Sequence, residues 1–246
     1  MAGGFVAADE EAEELIAAAN GDAEKLEAMV LRREDGEPLA WITGNVRFCG
    51  LTILVHPDVY VPRWHTELVA ERAAELLPED GVAIDLCTGC GAVAATLKAR
   101  RPGARVIGTD LDPNAVANAR ANGVEAYAGD LFAPVPAGVS ADVVVGVVPY
   151  VPRRALPLLQ RDTFRFETAL AYDGGEEGLD ILIRALHDAR DWLKPGGAVV
   201  LEVGGAQAGD LDPFITALEY EDPREIVDDE NDLRGIELRH RLPAHG

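Results

Sequence analysis

The stretch VAIDLCTGCGAVAATL, residues 82–97, decides the fold of this chain. Its first five residues form an apolar run interrupted only by Asp85, which is typical of a buried strand. Gly89 and Gly91 then permit a tight turn, and an alanine-rich helical pattern follows. In such a unit the helix N-terminus points at whatever lies in the turn, so the stretch predicts a ligand site. The two glycines alone are weak evidence, because many turns between strands and helices contain them.

The same alternation of strand and helix continues along the chain in both directions. Strands are predicted near residues 82–86, 105–108, 124–127, 142–147 and 198–203, and helices near 66–77, 92–100, 113–121, 178–192 and 206–218. The segment KPGG, residues 194–197, is expected to end the fourth of these helices, and two strands near 223–228 and 235–241 close the chain. Apolar strands that alternate with helices predict an α/β protein with a doubly wound, parallel sheet.

Upstream of this unit the sequence predicts two smaller regions. Residues 1–37 form a short helical N-terminal region, with two helices separated by Asn20-Gly21-Asp22, in which Asp22 can cap the second helix. Residues 38–62 form a linking β-hairpin with a turn at Cys49-Gly50. Residues 63–246 form the α/β domain.

Composition excludes several classes of partner and location. The 246 residues carry a formal charge of −21, which argues against binding of duplex nucleic acid, because such binding needs basic side chains. No apolar run is long enough to predict a membrane span, and the first residues lack the features of a signal peptide. Three cysteines do not make a disulfide framework, so the expected location is cytoplasmic.

Two further acidic positions indicate the ligand class. Asp110 ends the strand after the glycine turn, where a carboxylate can accept both hydroxyls of a ribose, and Asp130 and Leu131 follow the next strand. A dinucleotide site requires G-x-G-x-x-G for its pyrophosphate, whereas here Asp85 leads the turn and suits a ligand with an ammonium group. The pattern therefore favours S-adenosylmethionine, with a dinucleotide or a mere packing turn as alternatives.

The two cysteines of the turn allow another interpretation. Cys87-x-x-Cys90 has the spacing of a redox pair, or of half a metal site completed by Cys49. No fourth ligand cluster is evident in the sequence, and small residues are needed where a ligand approaches the backbone. We therefore expect packing at both positions and no metal.

Eight segments, in order, make the chain resemble one family. They are PLAWITGNVRFCG, VYVPRWHTELV, AIDLCTGCGAVA, GTDLDPNAVANAR, GDLF, VVPYVP, FETALAYDGGEEGLD and LKPGGAVVLEVGGAQ. From about residue 38 to residue 239 the chain is similar to the HemK/PrmC family of protein-(glutamine-N5) methyltransferases, which act on the Gly-Gly-Gln loop of peptide release factors. The resemblance implies a Rossmann-like class I methyltransferase with a seven-stranded, mostly parallel sheet, a final antiparallel hairpin and a small helical domain before it.

The resemblance also assigns a cofactor site. Asp110 matches the ribose-binding acid, Leu131 lies beside the adenine, and Arg63 belongs to a segment near the cofactor, in which Trp64 and His65 depart from the family pattern. Glu167 matches a family Glu-Pro pair in which the proline is replaced. The expected residues of the S-adenosylmethionine site are Arg63, Asp85, Cys87, Thr88, Gly89, Cys90, Gly91, Asp110, Leu111, Asp130, Leu131 and Val147.

The largest departure lies in the family signature Asn-Pro-Pro-Tyr. Its positions hold Val147, Val148, Pro149 and Tyr150, which are the expected substrate-binding residues, with Pro149 and Tyr150 as the catalytic pair. In the family the Asn side chain and a backbone carbonyl hold the two N–H groups of the substrate amide. Loss of one such partner typically costs about 3–4 kcal/mol of activation barrier.

Three functions remain open at this point. The protein methylates a glutamine of a release-factor-like protein, or it methylates a small molecule that needs no amide clamp, or it binds the cofactor without catalysis. The intact glycine turn and Asp110 argue against the third. His56 and His65 near the expected cofactor mouth are possible bases, although surface or structural roles are the simpler expectation.

Overall fold

The computed structural model describes residues 8–158 and 166–241. The helices are α1 (Ala8–Ala19), α2 (Ala23–Glu34), α3 (Leu39–Thr43), α4 (Thr66–Leu76), α5 (Ala92–Arg100), α6 (Pro113–Ala121), α7 (Asp180–Trp192) and α8 (Gln207–Ala217). The strands are β1 (Asn45–Phe48), β2 (Leu51–Leu54), β3 (Val82–Leu86), β4 (Arg105–Asp110), β5 (Glu125–Ala128), β6 (Ala141–Gly146), β7 (Leu193–Glu202), β8 (Glu221–Val227) and β9 (Leu233–Arg239). Short 3₁₀ helices span Arg153–Leu158 and Ala169–Ala171.

The main sheet has seven strands in the order β5-β4-β3-β6-β7-β9-β8. Strands β3 to β7 run parallel to one another, whereas β9 is antiparallel to both β7 and β8. Helices α4, α5 and α6 pack on one face, and α7 and α8 on the other. The expected α/β class, with a seven-stranded and mostly parallel sheet, is therefore confirmed.

The central strands are buried on both faces, which explains their continuous apolar sequences. In β3, Ala83 contributes to the core under α4–α6, and Ile84 contributes to the core under α7 and α8. Both side chains are fully buried. Asp85 lies on the first of these faces because successive side chains of a strand alternate. A carboxylate at this position therefore faces the start of α5 from inside the protein.

The helical N-terminal region and the hairpin are joined to this domain by specific contacts. The two predicted helices form, and Asp22 caps α2 by accepting a hydrogen bond from Lys25 N at 3.0 Å. The hairpin strands β1 and β2 form as expected around positive-φ residues Cys49 and Gly50. Asn122 Oδ1 accepts a hydrogen bond from Leu54 N at 2.9 Å and so attaches the hairpin to the end of α6. The short helix α3 was not predicted.

One segment differs from the sequence expectation. KPGG does not form a free turn after a helix but lies in the first half of β7. Leu193 pairs with Ala141, and a register shift follows before Ala198 pairs with Val143. Gly196 N donates to His240 O at 3.0 Å, so the end of the neighbouring strand satisfies this irregular backbone.

Within the two described ranges, no helix is both long enough and apolar enough to cross a membrane.

Candidate active site

The carboxyl ends of the parallel strands border a cavity of about 700 Å³. Its lining comes from the loops after β3, β4, β5 and β6, from the segment before α4, and from residues 168–173. This is the edge at which open α/β sheets bind ligands. Of the residues predicted for the site, those that line the cavity are Arg63, Cys87, Gly89, Asp110, Leu111, Asp130, Leu131, Val147, Val148, Pro149 and Tyr150.

The two glycines of the turn after β3 differ in their surroundings. Both have positive φ, 56° for Gly89 and 84° for Gly91. A Cβ on Gly89 would meet nothing within 4 Å, whereas a Cβ on Gly91 would lie 3.0 Å from the side chains of Ala119 and Val124. Gly89 therefore leaves open space beside the cavity, and Gly91 lets the turn pack against α6 and the start of β5.

Asp110 at the end of β4 holds this turn in place. Its Oδ2 accepts a hydrogen bond from Gly89 N at 2.9 Å, and its Oδ1 accepts one from Asp112 N at 2.9 Å. Burial raises the pKa of this carboxyl. Each carboxylate oxygen has a second lone pair, so Asp110 can still accept hydrogen bonds from a ligand that lies in the cavity.

Four predicted cofactor residues do not line the cavity: Asp85, Thr88, Cys90 and Gly91. Asp85 is 1% exposed, and its Oδ2 accepts hydrogen bonds from Thr88 Oγ1 at 2.6 Å and from Ala94 N at 3.1 Å. Burial raises the pKa of Asp85 to about 7. The structure thus gives Asp85 a supporting position behind the turn, where it fixes the start of α5, and does not place it against a ligand ammonium group.

Apolar side chains flank Asp110 in the cavity. Leu111 is half exposed and Leu131 is buried with φ of 44°, and both contribute to the lining. Asp130 faces the rim, where its Oδ2 accepts a hydrogen bond from Arg184 Nη2 at 2.6 Å. These positions can hold a flat base attached to a ribose.

The turn after β6 forms the other end of the cavity. Val148 is buried in the core, while Val147, Pro149 and Tyr150 line the cavity more openly. The Tyr150 hydroxyl donates to Glu202 Oε1 at 2.9 Å, and the Tyr150 carbonyl accepts from Gln207 Nε2 at 2.8 Å. The aromatic ring is therefore tied at both its hydroxyl and its backbone, which makes it a fixed wall.

A second buried carboxylate joins two distant segments beside this turn. Glu167 Oε1 accepts from Val61 N at 2.8 Å, and its Oε2 accepts from Arg63 Nη2 at 2.5 Å. The Tyr172 hydroxyl donates to the same Oε2. The Arg63 guanidinium lies 5.2 Å from the centre of the Tyr60 ring. Arg63 therefore borders the cavity, but its charge is already matched by Glu167.

Sequence reasoning missed Glu202 at the end of β7. This side chain is 1% exposed, and its Oε2 accepts a hydrogen bond from Thr66 Oγ1 at 2.5 Å. His65 Nε2 lies 3.5 Å from Glu202 Oε1. The available signal was an acidic residue that ends an otherwise apolar strand, which is the same signal that identified Asp110.

The cysteines lack the environment of a reactive thiolate. Burial raises the pKa of the Cys87 thiol strongly and raises that of Cys90 to about 12. Cys49 lies under the hairpin, where burial raises its pKa to about 12. Across residues 8–158 and 166–241, no group of three His, Cys, Asp or Glu side chains is arranged to hold a metal ion. Cys87 borders the cavity as a small apolar side chain.

Comparison with known folds matches this architecture to methyltransferases. A methyltransferase from Pyrococcus furiosus superposes with a TM-score of 0.57 at 19% identity over 88% of this chain and 98% of its own. A T. thermophilus 16S rRNA methyltransferase in complex with AdoMet and guanosine gives a TM-score of 0.57 at 18% identity over 80% of this chain and 50% of its own. A family profile described as methyltransferase domain matches residues 86–155. The two solved structures show that the fold is one that methyltransferases use. The profile match agrees with S-adenosylmethionine as the cofactor that the sequence predicts.

The sequence relatives identify the family more specifically than the solved structures do. The release factor glutamine methyltransferase of Geobacter sulfurreducens is 36% identical over 73% of this chain and 65% of its own length. That of Moorella thermoacetica is 40% identical over 79% of this chain and 71% of its own. The chain thus spans about two thirds of the length of these relatives. The identity and coverage confirm the resemblance recognised from the motifs, and the chain belongs to the family of release factor glutamine methyltransferases.

Proposed function

We propose that this protein transfers a methyl group from S-adenosylmethionine to the side-chain amide nitrogen of a glutamine in a peptide release factor. One observation carries the proposal from the side of the structure. A single cavity joins the Gly89–Asp110 end, which suits a nucleoside, to the Pro149–Tyr150 turn, which offers a flat wall to a planar group. The names of the sequence relatives supply the substrate class.

The residues at the first end fit the cofactor. Asp110 would accept the ribose hydroxyls, Gly89 would allow close approach of the backbone, and Leu111 and Leu131 would contact the base. S-adenosylmethionine supplies an electrophilic methyl group on a sulfonium. The charged side chains of the lining are mostly acidic, so the cavity is suited to a ligand that carries positive charge. They are Asp58, Asp110, Asp112, Asp130 and Asp173, against Arg63 and Arg184.

The residues at the second end would bind and orient the acceptor. An amide nitrogen is a poor nucleophile because its lone pair is delocalised, so acceptors placed on its hydrogens favour attack on the methyl group. Val147 offers only its backbone carbonyl for this purpose. Tyr150, held by Glu202, would keep the amide plane in position.

Exposed apolar side chains at the mouth of the cavity favour a macromolecular acceptor. Trp64 and Leu170 both line it and are 70% and 50% exposed. Exposed apolar side chains around a cavity are typical of a surface that another chain covers. A metabolite would not need this rim, and the relatives favour the protein acceptor over the small molecule that the sequence had left open.

Incubation of the protein with labelled S-adenosylmethionine and an intact peptide release factor tests the proposal. We expect label in the release factor, located by peptide mass spectrometry on the glutamine of its Gly-Gly-Gln loop. A release factor with that glutamine changed to alanine is the matched control and should take up no label. Binding of S-adenosylhomocysteine without any transfer to the release factor would contradict the proposed substrate.

A further inference from the structure

The end of β7 carries a buried carboxylate with an unusual set of neighbours. Glu202 accepts hydrogen bonds from the hydroxyls of Thr66 and Tyr150, at 2.5 and 2.9 Å. His65 Nε2 lies 3.5 Å from the same Oε1 that Tyr150 contacts. Burying a carboxylate costs several kcal/mol unless it is well compensated, so this cluster is expected to have a purpose beyond packing.

The carboxylate determines which nitrogen of His65 is free. A carboxylate oxygen only accepts hydrogen bonds, and Nε2 is the ring nitrogen that faces it, at 3.5 Å, so the neutral imidazole is favoured in the tautomer that carries its hydrogen on Nε2. A neutral imidazole has one N–H, and its other nitrogen, here Nδ1, then presents a lone pair. Within the described part of the chain, Nδ1 of His65 makes no hydrogen bond.

The imidazole lies at the acceptor end of the cavity. His65 is one of the residues that line it, and its side chain is 24% exposed. It shares Glu202 Oε1 with Tyr150, which forms the wall of the acceptor end. At the same end Val147 presents an apolar side chain. The cluster therefore brings an unpaired acceptor into the cavity that the turn after β6 borders. Among Val147, Val148, Pro149 and Tyr150 the only polar side-chain group is the Tyr150 hydroxyl, and it already donates to Glu202.

We infer that His65 binds the methyl acceptor through Nδ1, as the side-chain partner of its N–H, and that Glu202 is the positioning residue that fixes the imidazole. The inference deepens the proposed function and rests on it for the identity of the acceptor. The acceptor nitrogen forms a bond to the methyl carbon as the carbon–sulfur bond breaks, with the electron pair passing to sulfur. The nitrogen then carries one proton too many, and that proton passes to Nδ1.

The first test compares two substitutions of His65 in the full chain. His65→Phe keeps a flat ring without an acceptor, and His65→Gln restores a side-chain oxygen. We expect kcat/KM for release factor methylation to fall about 100-fold in His65→Phe and to recover about tenfold in His65→Gln. Calorimetric affinity for S-adenosylhomocysteine should stay within about twofold in both, which shows that the fold and the cofactor end are intact. Wild-type kcat/KM in His65→Phe overturns the inference.

A double-mutant cycle tests the positioning role of Glu202. Glu202→Gln should lower kcat/KM less in His65→Phe than in the wild type, because the part of its contribution that passes through the imidazole is already lost there and only the part through Tyr150 remains. Glu237→Gln is the matched control, since Glu237 is a 2% exposed carboxylate that pairs with Arg72 and does not line the cavity. Fully additive losses in the cycle would mean that none of the effect of Glu202 passes through His65, and would overturn its assignment as the residue that positions the imidazole.

A spectroscopic measurement separates this inference from the proposed substrate. Nitrogen-15 NMR of the imidazole in the S-adenosylhomocysteine complex, at about pH 8.5 where free imidazole is neutral, reports which ring nitrogen carries the hydrogen. The signal of His65 is the one absent in His65→Phe. We expect the Nε2–H tautomer, with Glu202→Gln shifting the population. If the wild type does not methylate a release factor, the proposed function fails. The tautomer is then still informative: Nε2–H supports the inference about His65, and Nδ1–H overturns it.

Discussion

The two ends of the cavity are built in different ways. At the cofactor end, Gly89 and Asp110 come from the ends of the consecutive strands β3 and β4, and the Asp110 carboxylate accepts a hydrogen bond from Gly89 N. At the acceptor end, the segment before α4 is held by Glu167 and Glu202, which lie 106 residues from Val61 and 136 residues from Thr66. Local chain geometry makes the first end, and long-range contacts between buried side chains make the second.

This difference explains where the chain departs from its family. The cofactor end depends on backbone conformation, so few residue types are allowed there, and the glycine turn and Asp110 are retained. The acceptor end depends on which side chains meet, so one group can replace another if the contacts are satisfied. Val147 and His65, both departures from the family pattern, lie at the acceptor end.

The largest expected effect concerns Asp85, behind the cofactor end. Burial raises its folded-state pKa from 3.8 to about 7. Below about pH 4 the carboxyl is protonated in both states and burial carries no charge penalty. Between about pH 4 and pH 7 only the unfolded chain loses the proton, so stability falls as pH rises and then stays low. The shift sets an upper limit of about 4 kcal/mol for this loss.

Asp85→Asn should remove this pH dependence. Its amide oxygen can keep the contacts with Thr88 Oγ1 and Ala94 N, which both go to one oxygen of Asp85. Urea denaturation of cofactor-free protein at about pH 5 and about pH 8 should show the variant gaining more stability over the wild type at the higher pH. A stability difference that is the same at both pH values would refute the charged-burial account.

The second expected effect concerns the acceptor end. Glu167→Ala leaves the Arg63 guanidinium and Val61 N without their acceptor. This should lower the free energy of unfolding by about 3 kcal/mol, the low end of the usual cost of breaking a buried ion pair, because the Arg63 side chain is partly exposed. Glu125→Ala is the control, because its ion pair with Arg105 lies at the surface, and it should cost less than about 1 kcal/mol. Equal losses in the two variants would show that Glu167 does not hold the segment.

The third comparison separates the two glycines of one turn. Gly91→Ala should lower the free energy of unfolding by about 2 kcal/mol, because its Cβ meets Ala119 and Val124 at 3.0 Å and its φ is positive. Gly89→Ala should cost only about 1 kcal/mol of strain, yet weaken S-adenosylhomocysteine binding, because its Cβ enters open space beside the cavity. Denaturation measures the stability of both variants, and calorimetry measures their affinity for S-adenosylhomocysteine. A larger loss of stability in Gly89→Ala, with weaker binding only in Gly91→Ala, would reverse the roles given to the two glycines.

The smallest expected effect is on the free energy of binding at the cofactor end. Asp110→Ala should weaken S-adenosylhomocysteine binding at least tenfold, about 1.4 kcal/mol, through loss of charge-assisted contacts to the ribose. Asp130→Ala is the matched control, because Asp130 also lines the cavity but is exposed and paired with Arg184. Calorimetry should show the larger loss for Asp110. If Asp130→Ala is the more damaging change, the ribose lies nearer to the end of β5 than we propose.

The sequence determined the fold and predicted which strand-end residues meet in one cavity. Hydrophobic periodicity placed the strands and helices of the sheet within a few residues, because strands buried on both faces must be continuously apolar. Since parallel strands end at one edge, the spacing of Gly89, Asp110 and Leu131 was enough to predict that they share a cavity. The order of the motifs identified the family for a related reason, because the motifs stand where the conformation of the backbone restricts the residue type.

Only the tertiary structure decided the direction of side chains and their long-range partners. Asp85 comes directly before the glycine turn in sequence, but the alternation of side chains along β3 points it into the core, where Thr88 and α5 donate hydrogen bonds to its carboxylate. The pairings of Glu167 with Arg63 and of Glu202 with His65 join residues more than 100 positions apart, and no local pattern encodes such contacts. They exist because the sheet brings β7, the segment before α4 and the turn after β6 to one edge, and a buried carboxylate there needs donors from whatever chain is near.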